Sequence, residues 1–201
     1  RAVDGVSMTL ESNQVHGVIG ESGCGKSTLL KTLIGLHDAT DGAIRYRGTP
    51  VSEFSKAERK EFRRNVQIVF QDPFNALNPK LTVRESLAEP LKIHGMDDHD
   101  ERIRRALERA RLSPPEKYLD RLPKQLSGGE KQRVSIARAI ITEPEIILAD
   151  EPVSMLDVST QAGVLRLLSQ LTEEMDMSML YIAHDLSTLS YICDFVHVMY
   201  L

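Results

Sequence analysis

Near the start of the chain, the stretch Gly20-Glu21-Ser22-Gly23-Cys24-Gly25-Lys26-Ser27-Thr28 fits G-x-x-x-x-G-K-[ST], and it restricts the fold more than any other feature. Such a loop works only where a strand delivers it and a helix carries it away, because its backbone N–H groups must converge on an anion at a helix N-terminus. The flanks agree. Gln14-Val15-His16-Gly17-Val18-Ile19 reads as a short apolar strand, and Lys26 to Leu36 continues as a helix ending near Gly35. In this reading Lys26 reaches the β- and γ-phosphates of a nucleotide and Ser27 ligates Mg²⁺, while Gly20, Gly23 and Gly25 let the backbone come close. Cys24 is a small filler within the loop.

Three further runs have buried-strand length and β-branched composition: Val66 to Phe70, Glu145 to Asp150 and Met179 to Ala183. With the loop unit they predict an α/β fold on a largely parallel sheet. Between the first two, residues 82 to 134 carry almost no strand signal. They carry helix starts instead: Thr82-Val83-Arg84-Glu85 matches a capping box, and Asp100-Glu101 opens a charged amphipathic run to Arg111. The expectation is one domain, with residues 1–73 and 135–201 as the α/β core and 74–134 as an inserted helical subdomain. A chain of 201 residues suits one such domain better than two independent ones.

Composition narrows the partners. With 25 Lys and Arg against 29 Asp and Glu, the formal charge is −4, and no segment is basic enough for a nucleic-acid track. The 2 cysteines, Cys24 and Cys193, lack disulfide-framework or metal spacing, which suits free thiols in a reducing cytoplasm. No apolar run approaches the roughly 18 residues of a membrane span, so the chain itself reads as soluble. The missing initiator Met and the final alternating run Phe195 to Leu201, which stops without a turn or cap, read as a domain truncated at both ends.

Chemistry gathers at the predicted strand ends. Ile146-Ile147-Leu148-Ala149-Asp150-Glu151 places two carboxylates at the C-terminal end of a buried strand, where ligands of open α/β sheets bind. Asp150 suits a Mg²⁺ ligand, and Glu151 stands where a general base could act on a water attacking the γ-phosphate. Gln71 and His184 each follow a predicted strand, and Asp157 precedes a helix that runs to about Met175. Ser127-Gly128-Gly129-Glu130 is a capping box for a helix reaching Ile141. Capping alone leaves Gly128 and Gly129 unexplained, since glycine in a helix costs about 1 kcal/mol relative to alanine. Bare N–H groups at a helix start suit an anion.

Taken in order, GESGCGKST, Gln71, LSGGEKQR, ILADEP, SMLD and His184 resemble the nucleotide-binding domain of ATP-binding cassette (ABC) transporters, over essentially the whole chain. The resemblance implies a P-loop, RecA-like core with a helical subdomain, ATP and Mg²⁺ as ligands, and Ser27, Gln71 and Asp150 around the metal. It implies that Ser127, Gly128 and Gly129 contact the γ-phosphate of an ATP held by a second ATPase subunit, so that two ATPs are sandwiched in a homo- or heterodimer. Asp157 then belongs to a loop crossing that dimer, and His184 is a switch residue on the γ-phosphate. Transmembrane permease subunits, with a solute-binding protein acting indirectly, would be the other partners, at the cytoplasmic face of the cell membrane. Gln71-Asp72-Pro73, followed by Leu77-Asn78-Pro79, resembles the importer ATPases for oligopeptides, dipeptides and nickel. Met155 departs from the small residue usual at its position, and the aromatic that stacks on adenine in this family would lie upstream of Arg1. Two other classes share part of the pattern. A non-transport ABC protein of DNA repair or translation would carry a long coiled-coil insertion or a second cassette, and a P-loop kinase would lack LSGGE; the 201 residues show neither insertion nor second cassette and do contain LSGGE.

Overall fold

A computed structural model describes residues 2–200. The chain enters its central sheet with β1 (Val15–Gly20), turns through the glycine loop into α1 (Lys26–Leu33), and makes a small antiparallel hairpin of β2 (Arg45–Tyr46) and β3 (Thr49–Pro50). Helix α2 (Lys56–Asn65) leads into β4 (Val66–Val69). A helical stretch follows: α3 (Pro73–Ala76), α4 (Val83–His94), α5 (His99–Arg109), α6 (Glu116–Leu119) and α7 (Gly128–Ile140). The chain then alternates through β5 (Ile146–Asp150), α8 (Val158–Glu174), β6 (Ser178–Ala183), α9 (Leu186–Ile192) and β7 (Phe195–Met199).

Sheet order is β4-β5-β6-β1-β7, and every neighbouring pair is parallel. Parallel sheets need cover on both faces, so their central strands are apolar on both. β6 is buried along its whole length for this reason. One face carries Val18, Leu148, Leu180 and Ile182 against Leu30 of α1, and the other packs Ile147, Ala149, Met179 and Tyr181 among side chains of α7, α8 and α9. A separate apolar cluster joins Leu87 and Leu91 of α4, Ile103 and Leu107 of α5, and Val134, Ala137 and Ile141. α7 serves both clusters, since Ile136, Ala139 and Ile140 on another of its sides join the sheet-side core. Among the described residues no helix is long and apolar enough to cross a membrane.

Several boundaries differ from the sequence expectation. α1 stops at Leu33, because Gly35 turns left-handed (φ 74°) and the N–H groups of Leu36 and His37 both return to the Lys31 carbonyl. The last strand ends at Met199, and Leu201 lies outside the described residues. The capping box at Thr82 is present, with Glu85 closing it, but the next helix begins at His99 behind Asp98, whose side chain makes no cap bond. With all strands of the sheet parallel, Gly20, Asp150 and Ala183 end on one edge, and the residues that follow them converge there.

Candidate active site

The glycine loop is built by close approach. Gly25 caps α1 at φ 100°, in a region that side-chain-bearing residues avoid, and a Cβ there would lie 2.0 Å from the Ala2 carbonyl oxygen. A Cβ on Gly20 would lie 2.2 Å from the Met199 carbonyl oxygen. Cys24 is buried beneath the loop, as expected of a filler. Lys26, only 5% exposed, donates through Nζ to the carbonyls of Gly20 at 2.6 Å and Glu21 at 2.9 Å. The loop thus holds its own cation. A phosphate arriving at the start of α1 would draw that ammonium from neutral carbonyls to charged oxygens, a stronger class of hydrogen bond.

Ser27 Oγ faces Asp150 Oδ1 at 3.4 Å, from the first turn of α1 to the end of β5. Two hard oxygen donors on rigid elements fit Mg²⁺, which takes few protein ligands beside substrate phosphates. Burial pushes the Asp150 carboxyl above the ordinary carboxylate range, while the Ser27 hydroxyl and then Lys31 and Lys26 oppose the rise. Lys31 is a residue the sequence reading passed over; its place one helical turn beyond Ser27 was the available signal.

Glu151 is the centre of the site. Its Oε1 lies 2.5 Å from His184 Nε2, and its Oε2 accepts from Gln71 Nε2 at 2.8 Å. Gln71 and His184, each expected just after a strand, therefore converge on one carboxylate. Glu151 has φ 47°, a left-handed conformation that costs a side-chain-bearing residue about 1–2 kcal/mol. The surroundings hold it there: its N–H donates to the Ile182 carbonyl at 3.1 Å, and its carbonyl accepts from both the N–H and Oγ of Ser154 at 3.1 Å. Burial raises the Glu151 pKa, His184 pulls it back down, and the nearby Asp150 charge raises it again. A buried carboxyl with a raised pKa beside an imidazole suits proton transfer.

Asp157 caps α8, accepting from the Thr160 N–H at 3.0 Å and from the Ser159 and Thr160 hydroxyls. Those hydrogen bonds, Ser159 first, hold its carboxyl down to about 2. Ser127 caps α7 as the sequence predicts, with the reciprocal bond from Glu130. The paired glycines divide. A Cβ on Gly129 would come within 2.6 Å of Thr160 Cγ2, so internal packing against α8 already requires this glycine, a reason the sequence did not reveal. A Cβ on Gly128 would meet nothing nearer than Leu156 Cδ2 at 3.6 Å, so no internal contact requires that one. Among the described residues, no hydrogen bond or ion pair joins residues 127–129 to the glycine loop of the same chain. Beside α1 a cleft of about 560 Å³ is lined by residues 2–7, parts of α1 and residues 37–44; among its described lining residues the one ring is the His37 imidazole.

The family model described as ABC transporter matches residues 3–154. The chain belongs to the ABC transporter family. It is 46% identical over its whole length to the oligopeptide transport ATP-binding protein AppF of Bacillus subtilis (strain 168), of which it covers 62%. The nickel import ATP-binding protein NikE of Escherichia coli (strain K12) is 43% identical over 98% of this chain and 74% of the relative. The fold of this ABC-family chain is that of solved cassettes. The ATP-binding cassette MJ0796, in a dimeric post-hydrolysis state bound to ADP and Pi, superposes with a TM-score of 0.84 at 31% identity, over 98% of this chain and 86% of that one. The α/β P-loop architecture expected from the sequence is thereby shown.

Proposed function

We propose that this chain is the ATP-binding and ATP-hydrolysing subunit of an importer for oligopeptides or nickel, peripheral at the cytoplasmic face of the membrane. One observation carries the chemistry: a buried Glu151 held in a left-handed conformation between His184 and Gln71, beside the Ser27–Asp150 oxygen pair. The names of the relatives support the cargo classes, and the dimeric cassette supports pairing with a second ATPase subunit. The chain spans 62% of the AppF length.

Lys26 and the loop N–H groups bind and orient the β- and γ-phosphates. Ser27 and Asp150 would hold Mg²⁺, which neutralises phosphate charge when bound. Glu151 accepts a proton from the water whose oxygen attacks the γ-phosphorus as the bond to the bridging oxygen of ADP breaks, and inorganic phosphate leaves. His184 holds the Glu151 carboxylate and stands where the γ-phosphate is sensed; Gln71 couples the same carboxylate to the segment leading into α3 and α4. Residues 74–134 act as a helical subdomain that presents Ser127, Gly128 and Gly129 to the partner subunit's ATP, and Asp157 lies in the loop that crosses between subunits. Closure around ATP and reopening after hydrolysis then move the permease subunits, because ATP binds the closed state better. Phosphate release from ATP by the assembled complex, dependent on Mg²⁺ and lost on chelation, is the expected result. Release unaffected by chelation would contradict the Ser27–Asp150 assignment, and no release would contradict the function.

A further inference from the structure

Gln132 lies in α7 one turn beyond Gly128 and Gly129, wholly buried, and neither its Oε1 nor its Nε2 has a hydrogen-bond partner among the described residues. An amide in that state is destabilising, because both groups have left water and received nothing in exchange. Helix geometry fixes what it faces. Residues 128, 129, 132, 133 and 136 share one side of a helix. On that side Gly128 lies nearest Leu156, Gly129 nearest Thr160, and Arg133 reaches Gly163. Ile136 joins Val153, Leu156 and Val164 in the core. Gln132 therefore lies on the side of α7 that meets Leu156 and Thr160, at the end of the segment running from Glu151 to the first turn of α8, and that also packs on β4 and α3. That segment is tied to the base by the two bonds from Ser154 to the Glu151 carbonyl. Val153 in the same segment is buried, and its backbone N–H has no partner among the described residues.

We propose that Gln132 is a positioning residue for hydrolysis. When ATP and a second subunit bind, a small rearrangement of the 151–157 segment against α7 gives this amide backbone partners there and so fixes where Glu151 stands. The resting chain leaves the amide unpaired and the closed state pairs it, which biases the equilibrium toward closure. This rests on the ATPase reading above, and it adds a link between the helix carrying LSGGE and the base that serves the chain's own nucleotide.

The test is Gln132→Met, with Gln132→Leu as a second apolar variant, in the intact protein with its partner subunits. Nucleotide-free melting temperature should equal or exceed that of wild type, because an unpaired buried amide is gone. kcat should fall roughly five- to tenfold, the worth of about one lost hydrogen bond, while KM for ATP stays within about twofold. In a Glu151→Gln background, which blocks turnover, ATP should raise the melting temperature less when Gln132→Met is added. An unchanged kcat overturns the proposal. So does a lowered melting temperature or failure to fold, which would show the amide already satisfied in the resting chain and its role structural. Wild type measured in parallel separates the two levels: no phosphate release by wild type overturns the ATPase reading, whereas normal release by both overturns only the role of Gln132.

Discussion

Replacing Glu151 with Gln removes one negative charge and almost no volume. The amide can still accept from Gln71 Nε2, now 2.8 Å from Oε2, and can donate toward His184 Nε2, now 2.5 Å from Oε1. Hydrogen bonds to a charged group contribute about 1.5–3 kcal/mol and those between neutral groups about 0.5–1.5 kcal/mol, so both contacts weaken. Against this, the cost of keeping a carboxylate buried disappears, and that cost is what raises its pKa. The opposed terms leave the fold within about 1 kcal/mol of wild type, a melting shift of about 2–4 °C for a chain of this size. Catalysis has no such compensation. A general base contributes about 10²–10⁴-fold, so turnover should fall roughly 100-fold or more while ATP affinity is retained. Phosphate release at saturating ATP and Mg²⁺, with equilibrium binding of a labelled ATP, measures both. In wild type the acid limb of the rate profile should lie above pH 4.5, because the raised Glu151 pKa protonates the base earlier as pH falls. Near-normal turnover in a folded Glu151→Gln protein would refute the assignment of the base.

Lys26→Ala should abolish measurable ATP binding, because the cation now shared by the Gly20 and Glu21 carbonyls is lost; unchanged affinity in the same assay would remove Lys26 from the site. Gly129→Ala should lower the melting temperature, since its Cβ would lie 2.6 Å from Thr160 Cγ2. Overpacking costs about 1–3 kcal/mol, more than the roughly 1 kcal/mol of helix propensity gained. Thr160→Ser in the same chain should restore most of the loss, and a more stable single mutant would show the contact unimportant. Asp157, held at about 2, stabilises the start of α8 above the unfolded carboxylate value of 3.8 and loses that contribution as pH falls through about 2. An NMR titration of the Asp157 carboxyl should show the depressed midpoint, and a midpoint near 3.8 would contradict the cap.

What the sequence displayed was local. The strand before the glycine loop, the buried run ending in Asp150, and the capped starts of α4, α7 and α8 follow from period, composition and cap residues within a few positions. α2 escaped because it is mostly charged and buries only Phe62, so no apolar stripe marks it; its Ser55–Glu58 capping box was the one available signal. The hairpin of β2 and β3 has two residues in each strand, too few to show alternation. In the site, residue types and order were legible, but their meeting was not. Gln71 and Glu151 are 80 residues apart and touch only because β4 and β5 are parallel neighbours. Nor does a one-dimensional pattern reveal that Glu151 turns left-handed, or that Thr160 occupies the space beside Gly129.

LSGGE is proposed to serve an ATP held by another subunit. The most direct measurement mixes two inactive forms of the intact protein: Lys26→Ala, whose own phosphate loop is dead, and Ser127→Arg, whose helix start is blocked. In a mixed dimer both defects fall in one composite site, and the other combines an intact loop from one chain with an intact LSGGE from its partner. Where the natural partner is a different ATPase, one of the two mutations is placed on it. Phosphate release should return on mixing, up to the activity of a single site. If confirmed mixed dimers release no phosphate, each chain uses its own LSGGE, and the trans-acting account is wrong.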